Sequence, residues 1–330
     1  MKISKAVLCL LLLASIFIVS VSSKEPFHHT YSIVAIDEES GQMGVAVQSH
    51  WFSVGQSVSW AEAGVGVIAT QSFVEMSYGP LGLQLMRSGK TSLEALKALM
   101  AIDKNIEVRQ IAMIDAKGNI AVHTGKSCIP EAGHKIGKNY AVQANLMLKN
   151  TVWDAMEEAF INSRGELSER LLAALEAAQR EQGDIRGMQS ASMIVVTTKS
   201  AGTPWNERIV DLRVEDSPEP LNELRRLLKI NNAYNHMNKG DEYFAKGDID
   251  NANKEYKLAE ELLPDNLEIK FWHAITLANK YHLKEALPIF KLVFEKDNNW
   301  AILVPRLPKA KLLPDDKKLI NDILSVEKKN

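Results

Sequence analysis

Two cysteines, Cys9 and Cys128, are too few for a disulfide scaffold or a thiolate-rich zinc site in a chain of 330 residues. There is no excess of basic charge. Thirty-nine Lys and Arg stand against 41 Asp and Glu, for a net charge of −2, so the electrostatic footprint of a nucleic-acid binder is missing. The sequence contains no GxSxG elbow, HExxH helix, Walker loop or CxxC pair. Serine hydrolase, zinc protease, nucleotide-binding and redox readings therefore lose their main support, and no cofactor is implied. Gly64-Val65-Gly66 lacks the third glycine and the following helix of a dinucleotide fingerprint. Long apolar runs are also absent, with one exception: Ala6 to Val19, preceded by Lys2 and Lys5 and followed by the small residues Val21-Ser22-Ser23. This run is shorter than the roughly 20 residues that cross a bilayer, and the pattern is that of a secretory signal peptide over residues 1–23. Cleavage after Ser23 would take the net charge from −2 to −4 and leave Cys128 as the single thiol. A secreted or periplasmic location follows.

What is present is enough apolar sequence, 46%, to build a substantial core and two domains. Strands are expected at Thr30 to Asp37 and Gln42 to Ser49, joined through Glu38-Glu39-Ser40-Gly41 as a hairpin, followed by a buried strand at Gly64 to Gln71. Helices are expected near Tyr78 to Arg87 and Ser92 to Met100. The outline then repeats, with strands at Glu107 to Asp115, Asn119 to Thr124 and Tyr140 to Asn145, helices at Val152 to Ile161 and Leu167 to Gln182, and strands at Ala191 to Thr197 and Arg208 to Val214. Strands arrive in groups and so do helices, which favours two sheets between helix layers over regular strand–helix alternation. The predicted class is α+β.

Asp216-Ser217-Pro218-Glu219-Pro220 is a polar, proline-bearing break, after which strand signals vanish. The organisation read from this is a signal peptide over 1–23, a first domain over 24–217 and an all-α helical-repeat domain over 218–330. Within the last, Gly240, Tyr243, Gly247, Ala252, Tyr256, Ala259 and Pro264 agree with a tetratricopeptide pattern of 34 residues. A weaker copy runs from Leu267 to about Trp300, with Ala274, Leu277, Ala286 and Phe290 in matching places. Two repeats are fewer than the three a free-standing array needs, so Leu221 to Ile230 and Trp300 to Leu313 are expected to cap them.

Several separated segments, in order, resemble one family. Thr30-Tyr31-Ser32-Ile33-Val34-Ala35, Gly44-Val45-Ala46-Val47-Gln48-Ser49, Gly64-Val65-Gly66, Ala69-Thr70-Gln71, Tyr78-Gly79-Pro80, His123-Thr124-Gly125 with Cys128, and Gly183-Asp184 followed by Arg186-Gly187 and Gln189-Ser190 are similar to the DUF1028 family over roughly residues 30 to 215. The resemblance implies a four-layer αββα sandwich of the N-terminal nucleophile hydrolase type, which agrees with the strand grouping. Its substrate and reaction are not established. Some relatives carry a C-terminal domain proposed to bind peptidoglycan, which implies an envelope setting.

In that superfamily a terminal Thr supplies the nucleophile through its hydroxyl and the base through its α-amine, whose reference pKa is about 8. The resemblance puts Thr30 in this role, expected at a sheet edge facing a cleft. Cleavage after Ser23 leaves Lys24 to His29 ahead of it, so a second cut between His29 and Thr30 is required. Ser32 is the fallback nucleophile. Ser49 is expected beside Thr30, and Gln71 is placed to donate to an oxyanion or a substrate amide. His50, Asn145, Asp184, Arg186 and Gln189 are the substrate-binding candidates. Asp184 and Arg186 either hold a polar substrate or merely fix their loop. Trp51 and Phe52 form either an apolar wall or part of the core. Cys128 reads as a small buried hydrophobe rather than a nucleophile. A metal site built from His28, His29, His50 and His123 is disfavoured, because adjacent residues of a strand point to opposite faces.

Two functions are carried forward. One is an exported amidohydrolase acting on a small amide or peptide, with Thr30, Ser49 and Gln71 as its catalytic set. The other is a non-catalytic envelope scaffold whose helical repeats bind a protein or cell-wall partner. In either case the repeats can instead dock a second copy of the chain, making a homo-oligomer.

Overall fold

β-Branched and apolar residues alternating with the strand period drive the first hairpin. β1 covers Phe27–His28, β2 Thr30–Asp37 and β3 Gln42–Ser49. Gly41 closes the turn between β2 and β3 at φ +66°, a region that favours glycine, while the Asp37 carboxylate accepts from the Glu39 and Ser40 amides. The computed structural model describes residues 27–28, 30–280 and 282–327. The predicted signal peptide, and His29 of the proposed second cut, lie outside the described residues.

The remaining elements are β4 (Ser59–Glu62), β5 (Gly66–Phe73), α1 (Tyr78–Arg87), α2 (Ser92–Met100), β6 (Arg109–Asp115), β7 (Ile120–Thr124), β8 (Gly133–Gly137), β9 (Tyr140–Ala144), α3 (Val152–Asn162), α4 (Leu167–Arg180), β10 (Ser190–Thr197) and β11 (Arg208–Val214). They build two antiparallel sheets. In the first, β5 pairs β6 and β6 pairs β7, while β1 and β4 line successive stretches of the other edge of β5. The second runs β11-β10-β3-β2-β9-β8. Val34, Val45, Val67, Ala112, Ile114 and Ile194 pack between the sheets. Helices α1 and α2 cover the outer face of the first sheet through Leu83, Met86, Leu96 and Leu99. On the second sheet, α4 lays Leu167, Leu171, Leu175 and Ala178 over Tyr31, Ile33 and Met193, an i, i+4 stripe meeting alternate strand residues.

Close approach makes α1 sensitive to one methyl group. A Cβ on Gly79 would lie 2.3 Å from the Trp60 ring, so the helix start must be bare there. Gly79→Ala is expected to destabilise the sandwich by about 2 kcal/mol, read as a lower urea midpoint with an unchanged m-value. A midpoint within error of the wild type would show that Trp60 yields freely.

Among the described residues six further α-helices follow: α5 (Pro220–Ala245), α6 (Ile249–Leu262), α7 (Leu267–Asn279), α8 (Leu283–Lys296), the short α9 (Asn299–Leu303) and α10 (Lys317–Leu324). The proline-bearing break before residue 220 is there, yet α5 is continuous across any simple boundary. Its Leu221, Leu224 and Leu228 belong to the sandwich core, whereas Ala233 and Met237 pack with Ala252, Tyr256 and Ala259 of α6. One rod therefore anchors two cores. Helices α5 with α6 and α7 with α8 form successive antiparallel hairpins, and the bare face of Gly240 lies against the Tyr256 ring, where a Cβ would come within 3.1 Å. Ala301, Val304, Leu307, Leu313 and Ile323 close the second hairpin. Among the described residues no helix is long and apolar enough to cross a membrane.

Candidate functional site

The space between the sheets has two poles. Strand alternation sends Thr30, Ser32, Val34 and Ile36 of β2 inward, opposite Ser49, Val47, Val45 and Met43 of β3. At the end where β2 begins, the inward positions become largely polar. Thr30, Ser32, Ser49, Gln71, Gln110, Gln143 and Asn145 are all buried there without accessible surface. Such groups are expensive to bury unless they bond to one another, and among the described residues all seven do, with Gln143 Oε1 alone of the network's amide oxygens lacking a partner.

Thr30 Oγ1 donates to Ser49 Oγ at 3.1 Å. The Thr30 carbonyl accepts from Gln71 Nε2 at 3.0 Å, from the Asn145 amide at 3.1 Å and from Asn145 Nδ2 at 3.4 Å. Gln71 Oε1 accepts from Ser32 at 2.6 Å, and Ser32 in turn accepts from Gln143 Nε2 at 3.2 Å. Gln110 is the hub. Its Oε1 accepts from Gln71 Nε2 at 2.7 Å and Asn145 Nδ2 at 2.9 Å, while its Nε2 faces the Ala144 carbonyl at 2.9 Å and Thr124 Oγ1 at 3.0 Å. Carbonyl oxygens only accept, so they fix which way the Gln71 and Gln110 amides point. Thr124 carries the chain outward to His134 Nδ1 at 2.9 Å; burial, and then the neighbouring His123, push the His134 imidazole below its ordinary pKa.

Thr30, Ser49, Gln71 and Asn145 thus meet, but not in the predicted setting. The expectation of a sheet edge facing a cleft is overturned. β9 pairs the far side of β2, so Thr30 begins an inner strand, and both its hydroxyl and its carbonyl are spent on neighbours. The Gln71 amide that an oxyanion would need is bonded to main chain and to Gln110.

His50, Asp184, Arg186 and Gln189 gather at the same end of the strands but in the loops that close it. The Asp184 carboxylate accepts from the His50 amide at 3.2 Å and from Arg186 through its amide at 2.9 Å, Nε at 3.0 Å and a second guanidinium nitrogen at 2.7 Å. These bonds tie the loop after α4 to the end of β3. His50 Nδ1 lies 3.3 Å from the Met188 carbonyl, so it is the donor, and Gln189 Nε2 reaches Asp216 at 3.1 Å. Beneath this loop Tyr31 donates to Gln179 Oε1 at 3.0 Å, its hydroxyl held well above its ordinary pKa by burial and then by Asp184. Trp51 is half-buried, while Phe52 is exposed. Burial likewise pushes the Cys128 thiol up, and its Sγ donates to the Arg109 carbonyl at 3.4 Å, so nothing activates it as a nucleophile. Among the described residues no three His, Cys, Asp or Glu side chains converge as metal ligands.

Sequence reasoning missed Gln110 and Gln143, the two amides that make the network continuous. The available signal was a lone glutamine in an apolar strand, in Arg109-Gln110-Ile111-Ala112 and in Ala141-Val142-Gln143-Ala144. It also missed the location of a large cleft. About 590 Å³ opens between β11, the start of α4 and the middle of α5, and none of the eight predicted residues lines it.

A model of a family of unknown function, DUF1028, matches residues 30–224. A solved crystal structure of a Silicibacter pomeroyi protein matched by the same family model is 30% identical, with a TM-score of 0.55, over 61% of this chain and 88% of that one. No curated protein matches. A match over more than half the chain, supported by that likeness of fold, places this protein in the DUF1028 family.

Proposed function

We propose that the chain is an exported binding protein. Its sandwich, of the N-terminal nucleophile hydrolase type, is a scaffold, and its tetratricopeptide-like hairpins engage a partner in the cell envelope. The single observation carrying this reading is the burial of Thr30 with its hydroxyl on Ser49 and its carbonyl held by Gln71 and Asn145. Neither a substrate amide nor a hydrolytic water reaches that hydroxyl. The amine that would act as its base is still part of a peptide bond to His29.

A second reading is favoured by one feature: Thr30 opens a strand between the sheets with a hydroxyl acceptor, Ser49, in contact. In that reading the chain is an amidohydrolase released by a cut before Thr30, which frees the amine and removes the residues ahead of it. Intact-mass and N-terminal sequencing of protein recovered from the envelope fraction, with turnover of aminoacyl p-nitroanilides, separates the two. The expected result is a terminus that stays at Lys24, no turnover, and a Thr30→Ala variant that is destabilised by about 1 kcal/mol through the lost hydroxyl bond. A terminus at Thr30 with turnover that Thr30→Ala abolishes would overturn the binding reading.

A further inference from the structure

The cleft between β11 and α5 shows on its own wall how it would recognise a ligand. β11 pairs β10 with a bulge: Val195 faces Val210 and Val196 faces Arg208, which leaves Ile209 as the extra residue. A bulged residue loses its place in the ladder. Its carbonyl is taken up by α5, where Asn231 Nδ2 and Asn235 Nδ2, one turn apart, both donate to it, at 3.2 and 3.3 Å. Amide side chains on this helix therefore already read the main-chain carbonyl of an extended segment.

The same face continues into the cleft. Positions 231, 235, 238 and 242 fall on one helical stripe, and beyond Asn235 the stripe presents Asn238 and Glu242, with Asn232 and Lys239 beside them. Among the described residues these four side chains, and Glu166 on the opposite wall, make no hydrogen bond or ion pair. Between the walls the lining includes the apolar Val195, Ile209, Val210 and Leu262, with Gln42, Ser168 and Thr197 beside them. Among the described residues the lining holds His236 but no Phe, Tyr or Trp, the broad platforms that stack a sugar or base ring.

We propose that this cleft binds a short peptide in extended conformation, its main-chain carbonyls met by Asn238 and Asn232 as that of Ile209 is met by Asn231 and Asn235. Alternating amide donors beside a partly apolar lining suit a chain whose carbonyls and small side chains alternate. Glu166 and Glu242 against Lys239 leave one net negative charge among the unpaired groups, so a peptide with a free amino terminus and a blocked carboxyl terminus is preferred. The assignment rests on the binding reading above and names its ligand class.

Isothermal titration of the full mature chain with tetra-alanine amide tests it. Saturable binding is expected, about threefold tighter than for N-acetyl-tetra-alanine with a free carboxylate. The exposed substitution Asn238→Ala should weaken it about fivefold, with the urea midpoint unchanged. Lys239→Ala, which removes the one lysine or arginine of the described cleft lining that makes no ion pair, should tighten the amide form relative to the N-acetyl form. Absence of saturable binding, or binding that Asn238→Ala leaves unaltered, overturns the peptide assignment. If the terminus also stays at Lys24 without turnover, the binding reading itself stands. Thr30-dependent turnover in a chain that still binds tetra-alanine amide through Asn238 would do the reverse, sinking the scaffold role and leaving the peptide site.

Discussion

Replacing Gln110 with leucine should cost about 4 kcal/mol of folding free energy, although the two side chains are similar in volume and the site is wholly buried. The reason is the number of groups one amide serves. Three acceptors, the carbonyls of Ala144 and Gly133 and the Thr124 hydroxyl, lie within 3.2 Å of its Nε2. Two donors, Gln71 Nε2 and Asn145 Nδ2, reach its Oε1. Leucine satisfies none of them. Asn145 Nδ2 would lose its 2.9 Å acceptor, and each buried polar group stranded without a partner costs about 1–3 kcal/mol. Urea unfolding followed by tryptophan fluorescence gives the number directly. Gln110→Glu supplies a control whose sign depends on pH. It keeps the acceptor end but turns a carboxylate toward carbonyl oxygens, so its folded-state pKa is raised above the ordinary value of about 4.3. A raised acid destabilises as pH climbs through that value, so the variant should be closest to wild type in acid and furthest from it at neutrality. A leucine variant within about 1 kcal/mol of the wild type would mean that the network merely occupies space between sheets held together elsewhere.

That network also marks where reading the sequence runs out. The β2–β3 hairpin was legible because β-branched residues flank a turn that needs glycine at residue 41, and its predicted bounds coincide with those observed. β4 and β8 were not. Gly133-His134-Lys135-Ile136-Gly137 carries a single β-branched residue and becomes a strand only because β9 offers it a ladder. Strand order is a long-range property, which is why Thr30 was expected at a sheet edge. What places it inside is pairing to Ala144 and its neighbours, more than a hundred residues away. Contact between Thr30 and Ser49 followed from a hairpin and was readable; contact between Gln71 and Gln110 required knowing that β5 and β6 are neighbours. That the C-terminal region is helical was readable, but the dual role of α5 was not. Leu221, Leu224 and Leu228 have the same period as any amphipathic helix, and the sequence does not say which of two cores they enter.

Arg109→Met should be as damaging as the loss of Gln110, at about 4 kcal/mol, for an electrostatic reason. Arg109 opens β6 with 1% of its surface exposed. Its Nε donates to Asp103 at 2.8 Å and a terminal nitrogen donates to the Phe73 carbonyl at 2.7 Å, joining the ends of β5 and β6 to the loop after α2. Tyr78 at the start of α1 donates to the same carboxylate at 3.2 Å, and the Asn105 amide does so at 2.8 Å. Burial alone would raise the Asp103 pKa, but bonds from Arg109, Asn105 and Tyr78 outweigh it and hold the carboxyl below its ordinary range. A depressed acid contributes stability above its unfolded value of about 3.9, and that stability is lost as pH falls through the lower folded value. Methionine keeps the packing of the stem but takes the guanidinium away from Asp103, so burial weighs more against its charged form and the pKa rises. The gap between wild type and Arg109→Met should therefore be widest near pH 7 and should narrow on acidification, first as the variant's carboxylate takes a proton above about pH 3.9 and then as the wild type's does so below it. Asp103→Asn added to Arg109→Met should recover part of the loss at pH 7, since the amide is neutral, its oxygen still accepts from the Asn105 amide and its nitrogen can donate to the Tyr78 hydroxyl oxygen. A gap that stays constant between pH 7 and pH 3 would assign the whole effect to packing and leave the ion pair without a role in tying α1 to the first sheet.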